Sequence, residues 1–139
     1  MSHHISKIDH IGIAVKDLEA QLAVYRDTLN IEFKGVEEVA DQKVKAAFLK
    51  IGETNIELLE PTSEESAVAK FLAARGDGFH HLAIGVHGIE NVIEELKSKG
   101  VRMIDEKPRV GAHGKKIAFL HPKSTGGVLI ELCEPQSGQ

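Results

Sequence analysis

Residues 7–15 alternate. Ile11, Ile13 and Val15 fall on one side, and His10, Gly12 and Ala14 on the other, the two-residue period of a strand. Asp17 then stands where a helix N-cap is expected, and Leu18, Leu22, Tyr25 and Leu29 form one stripe of a helix running to about residue 29. Strands are predicted over 31–39, 43–51 and 54–60. The same order recurs downstream. Residues 79–87 alternate, with Leu82, Ile84 and Val86 opposite His81, Ala83 and Gly85. A helix over 89–99 turns Ile89, Val92, Ile93 and Leu96 inward and stops at Gly100. Strands follow over 101–107, 115–121 and 127–134. Between the halves, Thr62 and Glu65 have capping-box spacing ahead of a helix whose apolar side is Val68, Phe71 and Leu72.

The recurrence extends to wording. ELLEP (57–61) returns as ELCEP (131–135), HIGIAV (10–15) as HLAIGV (81–86), and AFL (47–49) as AFL (118–120). The His and AFL phrases are offset by 71 residues (10 to 81, 47 to 118) and the glutamates by 74 (57 to 131), placing three extra residues in the turn at 121–127. The expected fold is therefore α+β, with tandem βαβββ modules over 1–61 and 79–139 joined by a linker helix in 62–78. Each module of about 60 residues is small for a core of its own, so a shared interior is expected. Each sheet would curl around a concave surface, and the two surfaces would complete one cleft.

Composition narrows the function. The chain has 139 residues, no Trp and 4% aromatics, which gives little for stacking on nucleic-acid bases. Its net charge of -4 argues against general polyanion binding. Cys133 is the only cysteine, which excludes an intramolecular disulfide and a thiolate-rich zinc site. No apolar run is long enough to span a membrane and the opening MSHHISK has no apolar signal region, so a cytoplasmic protein is expected, with no nucleic-acid or membrane partner. His3 and His4 in that opening stretch take no part in the argument.

Each half carries one His near its start and one Glu near its end. His10 and His81 share their strand faces only with Gly and Ala, which leaves room beside them. Glu57 and Glu131 sit in apolar strands, where an isolated carboxylate is costly. Two His and two Glu placed by symmetry have the look of a four-ligand divalent metal site, and such N/O ligands suit Co, Mn, Zn, Ni or Fe. The remaining candidates are weaker. His80 faces away from His81, and His87 ends its strand. His113 lies in the Gly-rich turn GAHG (111–114), a turn able to close over a site, and His121 reads as a turn residue. Cys133 reads as core filler. Glu60 and Glu134 have strand parity opposite to Glu57 and Glu131. Between 102 and 123 there are six basic and two acidic residues. Lys115, Lys116 and Lys123 in that segment are candidate contacts for an anionic substrate, against the alternative of a solvated hairpin.

The segments IDHIGIAVKDLEAQLAVYRDTL (8–29), ELLEPTSEESAVAKFL (57–72), FHHLAIGV (79–86) and GAHGKKIAFLHPKSTGGVLIEL (111–132) carry a resemblance. They resemble the vicinal-oxygen-chelate superfamily, which includes glyoxalase I and the extradiol dioxygenases, and within it the methylmalonyl-CoA epimerase family. The resemblance implies paired βαβββ modules and interconversion of the 2R and 2S epimers of an acyl-CoA through a metal-stabilised enolate. It further implies a homodimer and a divalent ion, cobalt first, with zinc, manganese or nickel as alternatives. It implies His10, Glu57, His81 and Glu131 as ligands, some members having Gln at the position of Glu57, and Glu131 as a catalytic acid/base. The family's second glutamate falls near Ala46, beside Lys45 and Ala47, where this chain has no acid; Glu37 and Glu38 lie on the preceding strand. The competing readings are a glyoxalase-I-like isomerase (lactoylglutathione lyase), a dioxygenase, and a non-catalytic binding protein on the same scaffold.

Overall fold

The computed structural model describes residues 5–135, so His3 and His4 lie outside the described residues. The chain divides into two compact units, one of residues 10–80 and one of residues from 81 onward joined by the beginning of the chain up to Asp9. Strand β1 (Ile5–Ala14) therefore contributes its first half to one unit and its second half to the other.

In the unit of residues 10–80, α1 (Leu18–Leu22) is followed by β2 (Glu32–Val39), β3 (Val44–Ile51), β4 (Thr54–Pro61) and α2 (Ala67–Arg75). The strand order is β2-β3-β4-β1, with β4 parallel to β1 and the other neighbours antiparallel. One sheet face carries the apolar alternation. Ala47, Leu49 and Leu58 pack there against Val15, Leu18 and Leu22, with Ile13, Tyr25 and Ile56 at the margin.

The second unit holds β5 (Gly78–Val86) from His81 onward, α3 (Ile89–Ser98), β6 (Arg109–Val110), β7 (Lys116–Phe119) and β8 (Ile130–Glu134) in the order β5-β8-β7-β6. Val86, Ile89, Val92, Ile93, Ala118 and Leu132 form its core between helix and sheet. Gly100 ends α3 with φ +87, and the bonds Gly100 N to Lys97 O and Val101 N to Leu96 O make the expected stop a Schellman turn.

Asp17 does cap α1, accepting from Ala20 N, but after Leu22 the helix widens into a π-helix over Ala23–Thr28. The i→i−5 bond from Leu29 N to Val24 O turns the chain less per residue than an α-helix does, so Leu29 rotates off the stripe and is 58% exposed. The predicted capping box is also displaced. Ser66, buried, caps α2 by accepting from Val68 N, while Glu65 pairs with Lys43 at 2.9 Å. The expected strand over 101–107 shrinks to one bridge, Met103 to Leu120. Asp105 supplies a side chain where the ladder would continue: its carboxylate accepts from Phe119 N, and Ile104 N and Asp105 N both donate to Phe119 O. Pro108 offers no N–H, and the ladder resumes only at Arg109. The three extra residues of the second half fall where the spacing places them, at a 3-10 turn over Pro122–Ser124.

The repeated phrase E-x-x-E has two distinct jobs. Its second glutamate reaches back to the N-terminus of the helix after the first strand of its own half. Glu60 Oε2 accepts from Leu18 N at 2.9 Å, and Glu134 accepts from Gly88 N at 2.6 Å and Ile89 N at 3.0 Å. A carboxylate satisfies the open N–H groups there and complements the helix dipole. Gly88, the N-cap of α3, has no side chain to do this itself. Glu134→Ala is expected to destabilise the fold by about 1–2 kcal/mol, the size of a lost helix cap, and Glu134→Gln, which keeps an acceptor oxygen but not the charge, by less. Urea midpoints at constant m-value check this.

Candidate metal and proton-transfer site

The face of each sheet turned away from its helical core carries the chemistry. In the parallel pair β1/β4, His10 is registered with Asn55, Gly12 with Glu57 and Ala14 with Leu59. Phe48 on β3 is registered with Glu57 from the other side. Partners in register share a face, so the parity expected from the sequence holds. His10 and Glu57 stand diagonally, with Gly12 and Asn55 at the other two corners, and His10 Nδ1 lies 3.2 Å from Glu57 Oε2. Both residues are buried, at 5% and 6% exposure.

The second unit repeats this. Ala83 is registered with Glu131 and Gly85 with Cys133 on the face opposite Leu132. His81 Nε2 lies 2.9 Å from Glu131 Oε1, and the two are 3% exposed. Phe119, registered with Glu131, meets the His81 ring edge-on at 5.7 Å, and the Arg109 guanidinium lies over the Phe119 ring at 5.6 Å. The imidazole is thus held by packing as well as by the carboxylate.

These pairs suit a divalent ion. A buried carboxylate demands a cation or strong donors. Two carboxylates carry the charge that one divalent ion neutralises, and imidazole nitrogen with carboxylate oxygen is a usual transition-metal donor set. Two donors each ~2.1 Å from one ion lie ~3.0 Å apart at right angles and ~3.4 Å apart in a tetrahedron. The separations of 3.2 and 2.9 Å within the two pairs fall around these values.

The other histidines are placed away from this role. The His80 ring stacks edge-on against Phe71 of α2 at 5.1 Å, and His87 is exposed. His121 accepts from Lys123 N as a turn residue. His113 is exposed and takes left-handed backbone, φ 58, in the turn after Gly111. Gly111 is required there, since a Cβ would come within 2.9 Å of Ile117 Cγ2.

The candidate lysines diverge. Lys116 is registered with Glu134, on the helix side of the sheet, and pairs with Glu90 at 3.0 Å, a contact that raises its pKa. Lys115 turns inward and places Nζ 3.2 Å from both carboxylate oxygens of Asp9. Lys123 is exposed. Asp9 is the buried acid that the sequence pattern did not single out. It is 5% exposed, and the Cys133 thiol donates to it at 3.6 Å. Its partner lies 106 residues away, so no local spacing marks it.

Residues 9–119 match the family described as Glyoxalase/Bleomycin resistance protein/Dioxygenase superfamily. The Ethylmalonyl-CoA/methylmalonyl-CoA epimerase of Cereibacter sphaeroides is 41% identical over 130 residues, which span 92% of this chain and 97% of that protein. The crystal structure of methylmalonyl-CoA epimerase from Mycobacterium tuberculosis superposes with a TM-score of 0.93 at 38% identity, covering 98% of this chain and 92% of that one. A methylmalonyl-CoA epimerase solved in complex with methylmalonyl-CoA and NH4+ gives a TM-score of 0.91 at 42% identity, covering 96% of each chain. The chain belongs to this superfamily, and within it to the family of the methylmalonyl-CoA epimerases.

Proposed function

We propose that the protein is an epimerase that interconverts (2R)- and (2S)-methylmalonyl-CoA. The observation that carries this reading is the pair of buried His–Glu contacts at repeat-related positions, His10–Glu57 and His81–Glu131, in a chain that matches acyl-CoA epimerases over nearly its full length. The four side chains hold one divalent ion, with cobalt first among the candidates.

The α-proton of the substrate lies between a thioester carbonyl and a carboxylate, so its removal places negative charge on the thioester oxygen. A bound divalent ion would supply stabilisation of that developing charge. The protein supplies the rest. Glu131 takes or returns the α-proton on one face of the substrate, and its burial beside His81 holds the carboxylate in one position. Gly12 and Ala14 beside His10, and Ala83 beside His81, keep these strand faces small, while Ser6 and Lys7 pack over Gly85.

Two assays on one preparation test the proposal. Protein purified without chelator is expected to interconvert the methylmalonyl-CoA epimers and to leave the hemithioacetal of methylglyoxal and glutathione unchanged. Turnover of the hemithioacetal alone would make the protein a glyoxalase-type isomerase. Turnover of neither substrate, with no bound metal, would make it a binding protein.

A further inference from the structure

Inverting a carbon centre through a planar intermediate needs a proton acceptor on one face and a proton donor on the other. Glu131 serves one face. On β3, Phe48 stands beside Glu57, and the next position on the same face is Ala46, which has no ionisable side chain and is 1% exposed. The register supplies a carboxylate next to it. Glu37 on β2 is registered with Ala46, Ala46 with Leu59 on β4, and Leu59 with Ala14 on β1. This row lies on the same sheet face as His10 and Glu57 and is the next row along from Phe48, Glu57 and Gly12.

An irregularity in β2 puts Glu37 there. Phe33 is registered with Leu49 on the helix side, but Gly35 is registered with Phe48, so Lys34 is an extra residue and the faces exchange. Gly35 takes φ +115, a backbone conformation that suits glycine. Had β2 stayed regular, Glu37 would share the face of Phe33 and point toward α1. With the bulge, Glu37 lies on the face of His10 and Glu57 and is half-buried; Glu32, registered with Lys50 on the same face, is exposed and pairs with Lys34 at 3.3 Å. Glu38 is registered with Lys45 on the opposite face and is exposed. Neighbouring strands lie ~4.8 Å apart, a distance that an extended glutamate side chain spans, and Ala46 has no side chain beyond Cβ to stand in the way.

We infer that Glu37 is the second proton-transfer residue, reaching over Ala46 and serving the face of the α-carbon that Glu131 does not. This role rests on the epimerase reading. In one direction Glu131 accepts the α-proton and Glu37, protonated, delivers its own to the other face. The product is the opposite epimer, with Glu131 protonated and Glu37 ionised. Proton exchange of both carboxyls with water resets the pair.

The test follows wild type, Glu37→Gln and Glu38→Gln in D2O, starting separately from each methylmalonyl-CoA epimer. Interconversion and deuterium at the α-carbon of unconverted substrate are both read. Glu37→Gln is expected to lose roughly 10²-fold or more in interconversion, the size for a lost general acid or base. It should still introduce deuterium with retention into the one epimer whose α-proton faces Glu131, at unchanged metal content and melting temperature. Glu38→Gln should behave as wild type. Wild-type interconversion by Glu37→Gln overturns the inference. Loss of exchange from both epimers together with loss of interconversion also overturns it, since a structural defect does that and a one-sided relay does not. A wild-type protein inert toward both epimers overturns the epimerase reading, and this role falls with it.

Discussion

Glu131→Gln is expected to lower the interconversion of the methylmalonyl-CoA epimers by roughly 10²–10⁴-fold while bound metal falls far less, because an amide oxygen can still ligate but the amide is not a useful base. The carboxylate now sits 2.9 Å from His81 and is buried. The amide keeps that shape and its NH2 can still meet the imidazole, so the fold should hold. Elemental analysis and circular-dichroism melts establish the intact site, and the rate then reports proton transfer alone. In D2O the variant should also stop washing deuterium into the epimer that faces residue 131. Exchange as fast as in wild type would remove Glu131 from proton transfer and leave it a ligand only.

The second large effect concerns the ion. One divalent ion per chain is expected in protein purified without chelator, held by His10, Glu57, His81 and Glu131. His81→Ala should weaken metal affinity by more than the ~10–100-fold typical of losing a mere outer-shell partner. His80→Ala, one residue away, should leave metal content unchanged, since the His80 ring packs on Phe71. Metal titration of the two variants side by side makes the comparison. Two ions per chain would assign a separate ion to each His–Glu pair. Equal affinity in wild type and His81→Ala would remove His81 from the ligand set.

The strands that carry the four candidate ligands, and the faces they occupy, are encoded locally. A strand exposes alternate residues to opposite sides, so the apolar positions of 11–15 and 82–86 determine where His10 and His81 point without reference to any partner. The same period separates Glu57 from Glu60 and Glu131 from Glu134, and the tandem repeat marks each pair as the counterpart of the other. What lay beyond this reading depends on partners distant in the chain. Helical periodicity assumes a constant turn per residue, and the π-helix at Ala23–Thr28 breaks it for Leu29. A strand over 101–107 needs a free ladder edge, and Asp105 occupies that edge with its own carboxylate. Buried Asp9 takes its partners, Lys115 and Cys133, from 106 and 124 residues away. Glu60 and Glu134 become helix caps because parallel pairing of β4 with β1, and of β8 with β5, ends them beside the helices that follow those strands. Glu37 shows the division most sharply. Alternation along a regular 31–39 strand groups it with Phe33, on the side facing α1. Only the pairing of β2 with β3, slipped by one residue at Lys34, transfers it to the face of Glu57, because in a sheet of period two a single extra residue exchanges every face beyond it.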